Sequence, residues 1–336
     1  MKRWKLTAGA TDASGLVLEE VPTPVPGPGE VRVRVEALSL NYRDQLVVAG
    51  GFARLPDRDL VPLSDVAGVV DAVGAGVSTW TVGDHVTNLH FRGWEDGVPE
   101  GPLGFGMGAA DEDGVLAEHV LLPADQVARA PRNLDSAEAA TLPVAAVTAW
   151  NALFEANPVG AGSKTLVIGS GGVSVFALQL ALAAGSEVFA VMRQAHKGRQ
   201  LEALGAKGFV DSTSTPDWGA AVLELSGGVD KVVDVVGTAT LNQSMASLRP
   251  AGEVALVGLF DLDGPAVDGV LLMSRGVRLR GVGVGSARMH RDVVGAVERH
   301  DVHPVVHRRF AFSDAPAAFR AQLGRDLVGK VVIEVP

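Results

Sequence analysis

The stretch VIGSGGVSVFALQLALAAGSEVFAVMRQAHKGRQLEALGAKGFVD, Val167 to Asp211, decides the fold. It opens inside the apolar run KTLVIG, which reads as a strand, and turns on Gly169-Ser170-Gly171-Gly172-Val173-Ser174. An apolar helix is expected from about Val173 to Ala184, followed by a second strand, SEVFAVM. A strand, a glycine turn, a helix and a strand at this spacing form the crossover that binds a dinucleotide. Gly169 permits the tight turn, and Gly171 lets a pyrophosphate approach the backbone. The helix start then offers unpaired N–H groups and a positive dipole end. Ser174 stands where a third glycine is usual; it is small enough for helix–strand packing and carries a hydroxyl that could serve as a further donor.

The end of the second strand selects the cofactor. A site for NAD places Asp or Glu there, to accept from the ribose 2′-hydroxyl. Here the strand ends Val191-Met192-Arg193, followed by His196, Lys197 and Arg199, with no carboxylate between Glu187 and Glu202. Arg193 and Lys197 suit a 2′-phosphate, so the expected cofactor is NADP(H).

Composition bounds the rest. The chain has 336 residues, enough for two domains with their own cores, and is 47% hydrophobic. Its formal charge of −10 argues against nucleic acid or an anionic membrane as partner. It has no cysteine, which excludes disulfides, thiol catalysis and cysteine-ligated zinc. The segment MKRWKLTAGA lacks a signal-peptide core and no stretch is long and apolar enough to span a membrane, so a cytoplasmic location is expected.

Residues 1–125 read as a β-rich domain. Leu16–Glu19, the alternating Val31-Arg32-Val33-Arg34-Val35, two strands within SDVAGVVDAVGAGVSTWTVGDHV, and VLAEHVLLP are its strands. Between them, His90–Gly114 has no period and is long for a loop, which marks it as a candidate substrate loop. A helix is expected over Ala137–Glu155. Strands and helices then alternate through VDKVVDVVG, GEVALVGLF and VRLRGVGVG, giving six strands of a doubly wound parallel sheet in an α/β fold. A helix at Val293–His300, a strand near HRRFAF, a helix at Asp314–Leu323 and the strand Lys330–Glu334 close the chain.

The ordered set LSLNYRD (38–44), VPLSDVAGVVDAVGAGV (61–77), GDHV (83–86), ATLPVAAVTAWNAL (140–153), GSGGVS (169–174), LEALGA (201–206) and GKVVIEV (329–335) resembles the medium-chain dehydrogenase/reductase superfamily over nearly the whole chain. The resemblance implies a GroES-like catalytic domain over 1–125, completed by 287–336, and a Rossmann NADP-binding domain over 126–286. The zinc alcohol dehydrogenases of that superfamily carry a Cys and a His-Glu pair as metal ligands. Here Leu40-Asn41-Tyr42 and Leu63-Ser64-Asp65 stand at those places and the four-cysteine lobe is absent, a poor zinc set. The chain is therefore similar to the zinc-free, quinone oxidoreductase-like branch.

That resemblance implies a cleft holding the nicotinamide, with Asn41 near the reacting carbonyl and Thr148 at the nicotinamide. Gly237 and Gly258 follow the fourth and fifth strands and should line the cofactor crevice; Ser286 and Lys330 are further cofactor contacts. Tyr42, the only tyrosine, is weighed as a proton donor against a packed core residue, and Asn41 as an enolate donor against a turn cap. Asp44 reads as a cap, and Asp65 as a hydrogen-bonded structural carboxyl. His90, Phe91, Trp94 and Phe260 form the candidate substrate wall, with loop packing as the rival. His303 and His307 flank Pro304 in strand-like sequence and are read as surface residues.

The expected activity is NADPH-dependent, zinc-independent transfer of hydride to a quinone or an α,β-unsaturated carbonyl. The alternatives are a zinc-free alcohol dehydrogenase or carbonyl reductase, and a non-catalytic NADPH binder. The strand VRLRGVGVG, last in the sheet, leaves an edge whose pairing with a twin predicts a homodimer.

Overall fold

The computed structural model describes residues 1–51, 57–109, 112–258, 260–261 and 263–336. Its contacts divide the chain into two compact units, Thr148–Val284 and the combination of Met1–Val147 with Gly285–Pro336.

The Thr148–Val284 unit is built on six strands in the order Gly208–Asp211, Glu187–Met192, Lys164–Ile168, Val229–Asp234, Leu248–Leu256 and Arg278–Gly281. Every neighbouring pair is parallel. The first strand in sequence is thus third in space, and the order reverses beside it, which is the doubly wound arrangement. Both faces are covered, so the central strands need no polar alternation: all six residues of Val229–Asp234 and five of six in Glu187–Met192 are buried. Leu166, Ile168, Phe189, Val191, Val232 and Val254 form the centre of that core. The helix Gly172–Ala183 is apolar on nearly every side, as burial on several sides requires.

The other unit contains a seven-stranded sheet. Its path runs Val306–Ala311, Lys330–Glu334, Glu30–Ser39, Asp65–Val73, His85–Asn88, Val127–Arg129, with His119–Pro123 also on Glu30–Ser39. A separate hairpin sheet joins Lys2–Leu6 to Leu16–Glu20. Val31, Val33 and Val35 point into the core with Leu6, Leu38, Phe319 and Ile333, in the period-two pattern read from sequence.

Several elements differ from the sequence reading. The unit boundary falls at Val147 rather than at 125, because Ala137, Ala139 and Ala140 pack on Ala37, Ala67 and Val332 of the first sheet. The helix expected over 137–155 is three pieces: Ser136–Ala139, a π turn at Leu142–Ala146, and Val147–Phe154. Pro143, which has no N–H to donate, sits in the first turn of the π segment, and at the segment's end Val147 N–H donates to the Leu142 carbonyl, five residues back. The strand in VRLRGVGVG spans only Arg278–Gly281. The helix read at 293–300 begins at Ala287, under a cap from Ser286 whose Oγ accepts from Met289 N–H. The cap read at Asp44 belongs to a helix, Tyr42–Val48, whose N-cap is Asn41 and in which Asp44 is the third residue. Of the candidate loop His90–Gly114, residues 110 and 111 lie outside the description, as does Leu259 of the expected strand GEVALVGLF.

Candidate active site

Sheet register assembles the first cluster. Ser39 lies opposite Val332 on one side and opposite Asp65 on the other, so the end of the central strand carries Leu40 and Asn41 between Lys330 and Asp65. Lys330 Nζ donates to the Leu40 carbonyl at 2.7 Å and to Asn41 Oδ1 at 2.5 Å, and lies 3.7 Å from Asp65 Oδ2. Lys330 is 4% exposed and Asp65 fully buried. Burial lowers the pKa of the lysine, against the pull of Asp65 and Asp44. Burial likewise pushes Asp65 up to about 6, resisted by Lys330 and the Asn41 amide.

Around this cluster the backbone is held firmly. Asn41 caps the helix Tyr42–Val48 in extended conformation, and its N–H donates to Asp44 Oδ2 at 2.7 Å. Asp44 Oδ1 accepts from Arg43 Nη1 at 3.0 Å, and Arg43 Nη2 reaches the Phe105 carbonyl. Leu63, fully buried, has φ of 72°, a strained value for a branched residue, immediately before Ser64 and Asp65. Asn88 secures that bend from both sides: its Oδ1 accepts from Val66 N–H, and its Nδ2 donates to the Ser64 carbonyl.

His90, Phe91 and Trp94 come together, the first two rings 4.5 Å apart and the last two 6.2 Å. His90 is buried against Gly106; burial, with Arg43 adding, lowers its pKa to about 3, so it is neutral. Phe260 belongs to the other unit and is 56% exposed. Tyr42, at the start of the helix Tyr42–Val48, lines a groove with Gln45, Leu46, Phe319 and Leu323. Ser286 is explained by its cap, and Lys330 by the bonds above, rather than by exposure to a cofactor. His303 pairs with Glu138 at 2.8 Å, and His307 lies 3.8 Å from Asp326.

The second cluster is the glycine turn. Gly169 has φ of 82°, where a side chain is strained, whereas Gly171 at −73° caps the helix and a Cβ there would meet no atom of the protein. Neither backbone nor packing therefore demands glycine at 171, which leaves the approach of a ligand as the physical reason. Gly172 and Val173 open the helix, and Ser174, buried, donates its hydroxyl to the Ile168 carbonyl at 2.7 Å. That bond ties helix to strand and uses the proton expected to be free for a ligand. Arg193 is exposed directly after the second strand; its carbonyl accepts from Thr213 Oγ1, while its guanidinium has no partner among the described residues. Lys197 lies one turn on, half-buried, in the helix Ala195–Ala203. Thr148 is buried at the start of Val147–Phe154.

Gly237 and Gly258 do follow the fourth and fifth strands, but each also has a packing reason. A Cβ on Gly237 would sit 2.4 Å from the Asp261 carbonyl, and one on Gly258 would strike the backbone of Val235 and Val236. Asp234, which the sequence reading passed over, organises this turn: its carboxylate accepts from the N–H groups of Val236 and Gly237 and from the hydroxyls of Thr240 and Ser244. Its signal was legible in retrospect, an acid ending an apolar strand with hydroxyls six and ten residues on.

These features match known proteins. Residues 172–299 match a family described as zinc-binding dehydrogenase, and residues 27–132 the alcohol dehydrogenase GroES-like domain. A zinc-type alcohol dehydrogenase-like protein of Schizosaccharomyces pombe is 37% identical over 308 residues, 89% of either chain. An acryloyl-coenzyme A reductase of Sulfurisphaera tokodaii is 25% identical over 332 residues, 95% of this chain and 96% of its own. The solved structure of an NAD-dependent alcohol dehydrogenase superposes with a TM-score of 0.89 at 31% identity, covering all of both chains. The chain belongs to the medium-chain dehydrogenase/reductase superfamily, with its GroES-like and Rossmann-type domains. It is an oxidoreductase.

The family's description invites a zinc ion, and the residues do not fit one. At the positions where ligands would stand are an amide, a hydroxyl and one carboxylate, and the Lys330 ammonium already faces the amide oxygen and that carboxylate. A divalent cation there would oppose a buried positive charge, with no thiolate or imidazole to offset it. Among the described residues no three His, Asp or Glu side chains gather as a metal group.

Proposed function

We propose that the protein is an NADPH-dependent reductase that works without zinc and delivers hydride to a quinone or to the β-carbon of an α,β-unsaturated carbonyl compound. The observation that carries the reading is the cluster of Asn41, Asp65 and Lys330, an amide donor and a buried ammonium where the family places metal ligands. The cofactor is a nicotinamide dinucleotide. Gly169 and Gly171 leave room for its pyrophosphate, and Arg193, with Lys197 behind it, meets the 2′-phosphate. When bound, NADPH supplies the hydride.

The chain's own part is to hold the acceptor and to stabilise charge. As hydride adds to the β-carbon, negative charge gathers on the carbonyl oxygen, and the Asn41 amide donates to it; a proton from water then completes the α-carbon. His90, Phe91 and Trp94 supply an apolar wall, in keeping with a planar conjugated acceptor. The relative named acryloyl-coenzyme A reductase takes an α,β-unsaturated thioester, which supports conjugate addition. The likeness to an NAD-dependent alcohol dehydrogenase favours a second reading, direct reduction at a carbonyl carbon.

Loss of NADPH absorbance in the presence of EDTA, with 1,4-benzoquinone, cyclohexenone and cyclohexanone as acceptors, tests the proposal. Turnover of quinone or cyclohexenone but not cyclohexanone is expected. Turnover of cyclohexanone alone would replace it with the second reading.

A further inference from the structure

We infer that Lys330 is a positioning residue for the proposed reaction: its ammonium turns the Asn41 amide so that Oδ1 faces inward and Nδ2 is left as the donor for a substrate oxygen. The inference rests on the reductase reading above, in which Asn41 stabilises the developing oxyanion.

An ammonium has three donors and no acceptor, so the group it meets at 2.5 Å must be the amide oxygen. Rotating that amide by half a turn would set two N–H bonds against three others in a buried site. The other end of Asn41 is equally fixed, its N–H held by Asp44 at the head of the helix Tyr42–Val48. With Oδ1 taken and the backbone pinned, one polar atom of the residue remains. Asn41 Nδ2 is buried and acts electrostatically on the Asp65 carboxylate, but neither Nδ2 nor Asp65 Oδ2 completes a hydrogen bond of ordinary geometry among the described residues. Folded proteins rarely leave such groups unpaired, and where they do another partner arrives. The Lys330 ammonium donating to Oδ1 also polarises the amide, which makes Nδ2 a stronger donor to an oxyanion than an isolated asparagine would be. Lys330 lies 289 residues from Asn41 and does this without touching the substrate.

A double-mutant cycle tests it, read as kcat and KM for whichever of benzoquinone, cyclohexenone and cyclohexanone the native protein reduces fastest. Lys330→Met should lower kcat about 100-fold, the scale of one lost oxyanion donor, with the Kd of NADPH changed less than about twofold. Asn41→Leu should do the same, and adding Lys330→Met to it should cost nothing further. Because Lys330→Met alone strands the Asp65 charge, the pair Lys330→Met with Asp65→Asn is made as well; it should still fold, confirmed by a cooperative melt, and remain slow. Lys330→Arg, which keeps a cationic donor, should recover at least about tenfold over Lys330→Met. Independent effects of Lys330 and Asn41, or full kcat in the charge-free pair, would overturn the inference. A native protein that reduces only cyclohexanone sinks the conjugate-reductase reading but leaves the cycle to be scored on that ketone. Should no acceptor turn over, binding of acetylacetonate, a stable enolate, to the NADP+ complex is scored by difference absorbance. Weakening by about 100-fold in Lys330→Met supports the inference, and equal binding refutes it.

Discussion

Replacement of Arg193 by alanine separates the two nicotinamide cofactors. The side chain is exposed and bonded to nothing in the described protein, and its carbonyl keeps the Thr213 hydroxyl after truncation. The fold should therefore be indifferent, with a melting temperature shift within error. A guanidinium meeting a phosphate through charge-assisted hydrogen bonds contributes about 1.5–3 kcal/mol, even allowing for an exposed setting. That corresponds to about 10- to 100-fold in Kd. Fluorescence titration should show NADPH binding weakened by that factor and NADH binding unchanged. Because an exposed ion pair is screened, the advantage of NADPH in the native protein should shrink between 50 mM and 500 mM salt, and be nearly salt-independent in the variant. Equal weakening of both cofactors, or an unaffected Kd for NADPH, would refute the 2′-phosphate assignment.

Four other outcomes follow from particular contacts. Gly171→Ala should alter stability by less than about 1 kcal/mol, since its methyl meets open space, yet weaken NADPH binding at least tenfold in the same titration. Asp234→Ala leaves two N–H groups and two hydroxyls without their acceptor and should destabilise by about 3 kcal/mol or more in chemical denaturation. His290, buried and hydrogen-bonded to Thr87 Oγ1, has its pKa lowered to about 4 by burial and secondarily by Arg291. The unfolded chain takes that proton from about pH 6.5 downward and the folded chain does not, so stability falls as pH drops through this window. Relative to His290→Gln, native protein should lose about 2 kcal/mol more between pH 6.5 and 5. Pairing of the edge strand Arg278–Gly281 with its twin predicts a solution mass near twice 34.7 kDa, and a mass of 34.7 kDa would dispose of it.

The dinucleotide half of the molecule was legible because its signals are local. A strand, a glycine turn and a helix succeed one another within some thirty residues, and the positive φ of Gly169 is the conformation such a turn predicts. The Lys330 cluster was not legible, since it depends on which strand neighbours which. Sequence places Lys330 at the start of a closing strand; only the antiparallel register of that strand with Glu30–Ser39 brings it to Asn41. The helix Tyr42–Val48 was not legible either, because seven residues are too few to show a period. The π turn at Leu142–Ala146 was hidden for the opposite reason: the apolar pattern continues through it without interruption, and only Pro143 marks a departure from regular helix.

The two buried lysines show how structure and chemistry divide. Lys231 is fully buried, and its ammonium meets the Ala156 carbonyl and Glu253 Oε1, which Arg280 also approaches at 3.2 Å. Arg280 in turn bonds the side chain and carbonyl of Asn151. Every charge there has its partners, and such a network ties three strands to a helix with nothing left over for a ligand. Lys330 is buried to nearly the same degree, yet its surroundings are incomplete: Asn41 Nδ2 and Asp65 Oδ2 remain without hydrogen bonds of ordinary geometry among the described residues. Deleting Lys231 should thus act on stability alone, because its neighbours lose a pairing and nothing else. Deleting Lys330 together with the Asp65 charge should leave a folded protein and slow the reaction beyond what its lost bonds to the Leu40 carbonyl and Asn41 Oδ1 do to stability. A variant set in which both lysines moved melting temperature and kcat in parallel would show that completeness of the network is no guide to function in this fold.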